Sequence, residues 1–376
     1  GKTVWAQAFD RPAGDLLALQ RDLAMAVVGR INAQLQSSLA PLGRRDTSDA
    51  EAKALLMQAR ALIFPISDRE GHVRRLNLID KALQRDPDYT AALMLRSVTL
   101  GYLVGLTPDD ASERARLRRE RQAAEQRAVA LAGDDGYVRA RVASGLLESL
   151  DTQGALSAAE QALKLAPNDP LTLLWAGIVL AGLYPERALV QFQHALALNP
   201  FWVQGLTNTS YALVRLGRLD EAVRRAEQAM AVANRQMGHF ALALAHVVRG
   251  DGKAARAIVT PAPEDVYRLE LLAMADTLDG RTGQAAAALQ ESAERNPDLG
   301  AYRMARHLAL AGDIKAALDW LERAVSLRAE GVSGLLTDPL LDPLRAEPRY
   351  QALARRWFPA DAVAAQARRP RVLRRA

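Results

Sequence analysis

The chain has 376 residues, of which 49% are hydrophobic and 5% aromatic, it contains no cysteine, and its formal net charge is +6. Most of that charge lies in residues 368–376, a stretch that has no acidic residue and five arginines: Arg368, Arg369, Arg371, Arg374 and Arg375. The composition excludes a disulfide framework and a thiolate metal site, and the nearly neutral remainder argues against a basic nucleic-acid-binding face, so we expect no direct nucleic-acid partner.

The first predicted elements are a strand and a helix. Residues 2–10 alternate between apolar and polar side chains, as a half-buried strand does. Asp15 can cap a helix that runs from Leu16 to about Leu35. A strand at a terminus needs a neighbour for its backbone hydrogen bonds, and no other stretch has a strand pattern. We therefore expect the partner strands to precede Gly1 in a longer gene product.

From residue 49 to residue 329 the pattern is a series of helix pairs, which follows a turn-rich linker at residues 37–48. The pairs are predicted at about 49–85, 89–131, 136–167, 169–200, 203–234, 236–260, 266–297 and 298–329. Glycines are predicted at four turns inside these pairs, and an alanine follows each of them five residues later: Gly217 and Ala222, Gly250 and Ala255, Gly280 and Ala285, Gly312 and Ala317. Small side chains at a repeat of about 34 residues let neighbouring helices approach closely.

The end of the chain is predicted to be a cap and a tail. Residues 330–360 are rich in Asp-Pro and Glu-Pro steps, and their last helix, Arg349 to Trp357, is expected to cover the final helix pair. The basic tail at residues 361–376 is expected to be disordered, because terminal blocks of like charge are usually solvated; contact with nucleic acid or an anionic membrane is the alternative. A second arginine cluster, between Arg114 and Arg121, alternates with glutamates and is interpreted as a solvated helix face, with an anionic partner as the alternative.

Two neighbouring pairs carry a family resemblance. Residues 169–200 have Ala176, Ala188, Phe192, Ala195 and Pro200, and residues 203–234 have Ser210, Ala222, Ala226, Ala229 and Asn234 at nearly the same spacing. This pattern resembles the tetratricopeptide repeat family. The resemblance implies an all-α fold, a right-handed superhelical solenoid of helix hairpins, in which the first helix of each pair lines a concave groove for a protein or peptide.

The resemblance also assigns side chains to that groove. They are Tyr137, Tyr211, Arg215, Phe240, Tyr267, Glu270, Met274, Tyr302 and Arg306. Aromatic and arginine side chains are the usual anchors of protein interfaces, although each of these residues taken alone has the alternative of packing against an adjacent repeat. Self-association through the repeats or the strand edge is a further expectation.

Residues 1–36 resemble a second family. The runs from Val4 to Arg11 and from Leu17 to Ala24 are similar to the last strand and helix of the TolB-like region found in bacterial multidomain proteins. In those proteins this region links tetratricopeptide repeats to an upstream class III adenylate cyclase domain or winged-helix DNA-binding domain. The resemblance implies that the upstream domain of the same chain is a partner. It also implies that the repeats are periplasmic if the parent protein has a single membrane span before this region, and cytoplasmic otherwise.

The search for catalytic chemistry finds little. No two of the five histidines have the spacing of three or four residues that a helical metal site uses, and Gly250-Asp251-Gly252-Lys253 lacks the spacing of a phosphate-binding loop. We therefore expect no enzyme activity, no metal and no cofactor. The sequence favours a non-catalytic interaction scaffold or sensor that regulates an upstream signalling domain. The alternative is the regulatory portion of a nucleotide cyclase or of a winged-helix transcription regulator.

Overall fold

The computed structural model describes residues 46–62, 69–107, 110–232, 236–261, 266–281 and 283–373. In these ranges the regular elements are helices, and no strand is present. The predicted strand and helix of residues 1–36, and the linker up to residue 45, lie outside the described residues. Within the described ranges, no helix combines the length and the apolar composition that crossing a membrane requires.

Sixteen helices form eight consecutive antiparallel hairpins. They are α1 (Ala50–Ala61) with α2 (Arg69–Arg85), α3 (Thr90–Gly105) with α4 (Ala111–Ala132), α5 (Gly136–Glu148) with α6 (Thr152–Leu165), α7 (Pro170–Leu183) with α8 (Pro185–Leu198), α9 (Val203–Arg215) with α10 (Leu219–Val232), α11 (Gln236–Arg249) with α12 (Gly252–Val259), α13 (Val266–Leu278) with α14 (Gln284–Arg295), and α15 (Pro297–Ala311) with α16 (Ile314–Leu327). Each hairpin packs on the next, so the predicted α-helical solenoid is confirmed.

Local chemistry sets the ends of these helices. Seven of the described helices begin after an aspartate whose carboxylate accepts a hydrogen bond from a backbone N–H of the first turn: Asp49, Asp110, Asp135, Asp151, Asp169, Asp251 and Asp313. Each such cap stabilises its helix by about 1 kcal/mol. The four predicted turn glycines all have a positive φ, from 65° at Gly280 to 88° at Gly250, a conformation that glycine adopts without strain.

Small residues form the contacts between helices. Ala222, Ala255 and Ala317 are fully buried, whereas Ala285 is only partly buried. One close approach is at Gly300 of α15, where an added Cβ would lie 2.5 Å from the Cα of Ala293 in α14. The large side chains fill the space around these contacts, and a fully buried side chain such as Phe192 contributes roughly 1.5–3 kcal/mol through burial.

The stack bends until distant hairpins meet. Arg114 and Arg118, near the start of α4, bind the carboxylate of Asp298 at the start of α15, at 2.9 and 2.8 Å. Arg114 also donates to Asn296 at 3.1 Å, and its side chain is only 2% exposed. The interpretation of the arginine cluster as a solvated face is therefore wrong for Arg114. Its guanidinium closes the gap between the second and eighth hairpins.

The C-terminal part contains the predicted final helix on the last hairpin, and a further helix lies where a disordered tail was predicted. After two short 3-10 turns, Val332–Gly334 and Pro339–Leu344, helices α17 (Pro348–Trp357) and α18 (Ala360–Arg368) pack against the last hairpin. They also reach back to the third and fourth hairpins, where Thr152 donates to the Trp357 carbonyl at 2.7 Å and Tyr184 to Asp361 at 2.6 Å.

The tail is ordered through residue 373. Arg369 binds Glu186 through two nitrogens at 3.1 and 2.9 Å, and the backbone N–H groups of Val372 and Leu373 donate to Asp342. The expectation of disorder overlooked that the tail's arginines and backbone donors find acceptors within the fold. Residues 374–376 lie outside the described part.

We expect Gly300→Ala to lower the free energy of unfolding by about 1–3 kcal/mol, because its methyl group overlaps the backbone of Ala293. Gly105→Ala is the matched control, since a Cβ at Gly105 meets no atom within 4 Å. Urea denaturation followed by circular dichroism measures both variants. Equal stabilities of the two variants would contradict the close approach of α14 and α15.

We expect Asp298→Asn to lower the free energy of unfolding at pH 7 by about 1–3 kcal/mol, because buried Arg114 loses a charged partner. Burial alone would raise the pKa of Asp298, but the hydrogen bonds from Arg114 and Arg118 hold it below its ordinary value. The ionised Asp298 carboxylate therefore stabilises the fold fully above the ordinary aspartate pKa. This stabilisation is lost as the pH falls through the lowered pKa of Asp298 in the folded protein.

The difference between wild type and Asp298→Asn should accordingly shrink when urea denaturation is repeated at about pH 3. Asp220→Asn serves as the control because Asp220 pairs with Arg249 at the surface and its side chain is 85% exposed. This control should change stability by less than about 0.5 kcal/mol. A constant difference between wild type and Asp298→Asn at both pH values would argue against the ion pair.

Candidate functional site in the inner groove

The first helices of the hairpins share one face of the stack, which we call the inner groove. A stretch of the chain's own C-terminal part, residues 330–345, lies on this face and is called the groove segment. It touches α5, α7, α9, α13 and α15. At Gly182 of α7 an added Cβ would lie 2.9 Å from the carbonyl oxygen of Ser333. The absence of a side chain there lets the segment lie directly on the helix.

The carboxylate of Asp338 is the centre of the contacts. It accepts a hydrogen bond from the Tyr302 hydroxyl at 2.9 Å and pairs with Arg306 at 2.8 Å. Arg306 in turn donates to Glu270 of α13 at 2.6 Å. Asp338 and Glu270 are 7% and 3% exposed. The guanidinium of Arg306 therefore binds two carboxylates, Glu270 of the neighbouring helix α13 and Asp338 of the groove segment.

Arg215 of α9 binds the backbone of the same segment. It donates to the Gly334 carbonyl oxygen at 3.3 Å and to the hydroxyl of Thr337. The Thr337 hydroxyl donates to the Ala181 carbonyl at 2.9 Å. An arginine on a backbone carbonyl recognises the path of the segment. An added Cβ at Gly334 would lie 2.9 Å from Nη2 of Arg215, so the contact also requires glycine at this position.

The beginning of the groove segment is held by an aromatic and an arginine. The Tyr267 hydroxyl donates to Glu330 at 2.5 Å, and Arg303 donates to the same carboxylate at 3.2 Å. The Arg303 guanidinium lies over the Tyr267 ring at 4.3 Å, and the Phe240 ring stacks with the same Tyr267 ring at a centroid distance of 5.6 Å. Stacked in this way, the arginine keeps its position for the carboxylate.

Burial governs the electrostatics of the site. Burial and the neighbouring Asp338 carboxylate raise the pKa of Tyr302 well above its ordinary value, so the phenol stays a donor. Burial would lower the pKa of Arg306, but the Asp338 and Glu270 carboxylates reverse the direction and raise it. Breaking a buried pair by removing one partner costs about 3–5 kcal/mol. The site is therefore suited to binding a carboxylate together with a backbone that runs in short 3-10 turns.

The structure brings together six of the predicted groove residues: Arg215, Phe240, Tyr267, Glu270, Tyr302 and Arg306. Tyr211 is partly buried and packs against Ala226 and Leu242, and burial raises its pKa to about 12. Tyr137 and Met274 lie in the core, 7% and 0% exposed. These two contact the adjacent helices because their positions face the neighbouring hairpin.

Sequence reasoning missed the residues that meet the groove side chains: Arg303, Glu330, Thr337 and Asp338. Arg303 lies one helical turn before Arg306 and was accessible from that spacing. The other three belong to a stretch that was predicted to cover the end of the stack. The Asp-Pro step at Asp338 was visible in the sequence. Nothing local indicates that the Asp338 carboxylate is buried against Tyr302, which is about 36 residues earlier in the chain.

The described residues contain no cluster of histidine, cysteine, aspartate and glutamate side chains that could hold a metal ion. The charged side chains in the groove are instead engaged in the ion pairs and hydrogen bonds described above. The prediction that the chain has no enzyme activity stays a prediction.

No protein-family model matches the sequence, and neither does any curated protein. Several solved structures resemble the fold. A monomeric mutant of IFIT1 solved with m7Gppp-AAAA is 14% identical, with 73% of this chain and 71% of that chain covered and a TM-score of 0.50. A tetratricopeptide repeat protein from Parabacteroides merdae is 16% identical, with 72% and 100% covered and a TM-score of 0.44. TTC0263, a tetratricopeptide repeat protein from Thermus thermophilus, is 21% identical, with 50% and 97% covered and a TM-score of 0.40. At these identities the likeness concerns the helical-repeat fold alone.

We expect Arg215→Met to loosen the groove segment, because its hydrogen bonds to Gly334 and Thr337 are lost while the aliphatic volume is retained. Limited chymotrypsin digestion followed by mass spectrometry should show cleavage within residues 330–345 several times faster than in wild type. Arg218→Gln is the control, because Arg218 pairs with Glu221 at the surface. Equal cleavage rates in all three proteins would show that Arg215 does not hold the segment.

Proposed function

We propose that this chain is a non-catalytic protein-interaction scaffold, whose inner groove binds a segment that presents a carboxylate and the carbonyl groups of a tightly turned backbone. The observation that carries the proposal is the contact of Asp338 with Tyr302 and Arg306. Together with Arg215 on the Gly334 carbonyl, these side chains already perform peptide recognition on the chain's own groove segment. A partner segment of the same chemistry would use the same donors.

The groove segment acts as an internal competitor in this proposal. A tethered segment has an effective concentration in the millimolar range, so a partner must either bind more tightly or meet a chain whose internal contacts are weakened. The groove can therefore be occupied by its own segment in the free protein and still accept a partner segment in its place. The buried carboxylate of Asp338 is the contact whose loss most favours exchange.

We also propose, more specifically, that the scaffold regulates an upstream signalling domain. This proposal is supported by the resemblance of residues 1–36 to the TolB-like region, which lies outside the described residues. The cyclase and winged-helix alternatives and the upstream domain as a partner depend on the same resemblance, as does the choice between a periplasmic and a cytoplasmic location. The scaffold proposal does not depend on it, because the groove contacts lie within residues 136–345.

Asp338→Ala in the full chain should increase the affinity for a fluorescent peptide of residues 330–345 by at least roughly tenfold, because the internal segment loses its ion pair with Arg306. Fluorescence anisotropy measures the affinity. Adding Arg215→Met to this variant should weaken the gain, since the peptide then loses the donor to its Gly334 carbonyl.

The matched control is Asp361→Ala, which removes a carboxylate that binds Tyr184 outside the inner groove. Its affinity for the peptide should equal that of wild type. If Asp338→Ala binds the peptide no more tightly than Asp361→Ala does, the groove is not an exchangeable peptide site. Circular dichroism confirms that each variant keeps its helices.

A further inference from the structure

A second concave site lies where the C-terminal helices meet the tail. A cavity of about 410 Å³ is bounded by the turn at Arg345, by α17 and α18, and by residues 369–371. Four of its lining residues are arginines, and none is acidic: Arg345, Arg355, Arg369 and Arg371. The volume is within the range of small-molecule sites, and the concentration of guanidinium groups gives the lining a strong positive charge.

Two of the arginines are largely shielded from solvent and are held in place by carboxylates. Arg345 pairs with Asp342 at 2.6 Å, and its side chain is 10% exposed. Arg369 binds Glu186 and is 12% exposed. Each of them retains a buried nitrogen, Nε of Arg345 and Nη1 of Arg369, that has no hydrogen-bond acceptor in the described part of the chain. These two guanidiniums are thus oriented by protein carboxylates and still have donor capacity left.

The other two arginines are exposed at the cavity and lack a protein counter-charge. In the described ranges, no carboxylate lies within ion-pair distance of Arg355 or Arg371. Arg355 belongs to α17, and Arg371 follows α18 across the cavity. Like charges that face one another across a small space repel, and a multivalent anion between them removes that repulsion.

The cavity is preorganised by hydrogen bonds among its neutral groups. Gln366 of α18 donates to the Tyr350 hydroxyl at 2.8 Å, and that hydroxyl donates to the Leu335 carbonyl at 3.0 Å. Asp342 accepts the backbone N–H groups of Val372 and Leu373, which fixes the tail on the far side. A site that is already ordered loses little entropy when a ligand binds.

We propose that this cavity binds a small molecule that carries two or more phosphate groups. Guanidinium groups match phosphate oxygens in a bidentate geometry. With Arg345 paired to Asp342 and Arg369 to Glu186, the charges of Arg355 and Arg371 remain for a ligand with more than one negative charge. The phosphate-binding arginines are Arg355 and Arg371, with Arg345 and Arg369 as the buried donors. The site is independent of the inner groove and of the scaffold function proposed above.

Isothermal titration calorimetry of the full chain against sodium tripolyphosphate and against ATP, in about 50 mM salt, tests the proposal. We expect both to bind, with the affinity falling as salt is raised. Equal affinities would mean that phosphate alone is recognised, and tighter binding of ATP would mean that the ligand also carries a nucleoside. Lack of binding of both compounds at millimolar concentration would overturn the proposal.

Arg355→Gln with Arg371→Gln should weaken tripolyphosphate binding by roughly tenfold or more. Each single variant should show a smaller loss. The matched control is Arg119→Gln with Arg224→Gln, which removes two positive charges from exposed helix positions away from the cavity. An equal loss in both double variants would show general charge attraction in place of a site, and an unchanged affinity in the Arg355/Arg371 variant would remove these residues from it. Both outcomes overturn the proposal.

Discussion

The close approach of helices at alanine and glycine is the constraint on which this structure depends. Helix backbones come within contact only where no side chain separates them, as at Gly300 over Ala293, and the fully buried alanines repeat this condition along the stack. Because every hairpin obeys it, the first helices are held at a regular spacing on one face. The inner groove is the consequence of that regular spacing.

The groove is polar because its occupant is polar. Glu270, Asp338, Arg303 and Arg306 are withdrawn from water, and buried charges are stable only when they are paired. A peptide-binding groove that waits for a partner meets the same requirement by leaving its charges solvated. Here the groove segment supplies the second carboxylate, so the free chain satisfies its own groove. The same donors would satisfy a partner of equal chemistry.

The C-terminal part joins the two candidate sites. Asp342 lies near the end of the groove segment and accepts backbone donors from Val372 and Leu373. Arg345, the last residue of the segment, pairs with Asp342 and lines the arginine cavity. Burial raises the pKa of Asp342, although Arg345 and the two backbone donors oppose this effect. One buried carboxylate thus holds the end of the groove segment, the tail and one wall of the cavity.

By itself, the sequence determined the helix pairs, their turns and their stacking, because these depend on contacts within about 34 residues: the capping aspartates, the glycines with positive φ and the alanine seams. It also identified six of the side chains in the groove, since repeat spacing places them on first helices. Only the tertiary structure decided what these side chains touch. The pairing of Arg114 with Asp298, of Arg306 with Asp338 and of Arg369 with Glu186 joins residues that no local pattern relates. The curvature that brings them together is a sum of small rotations between hairpins, to which every packing contact contributes.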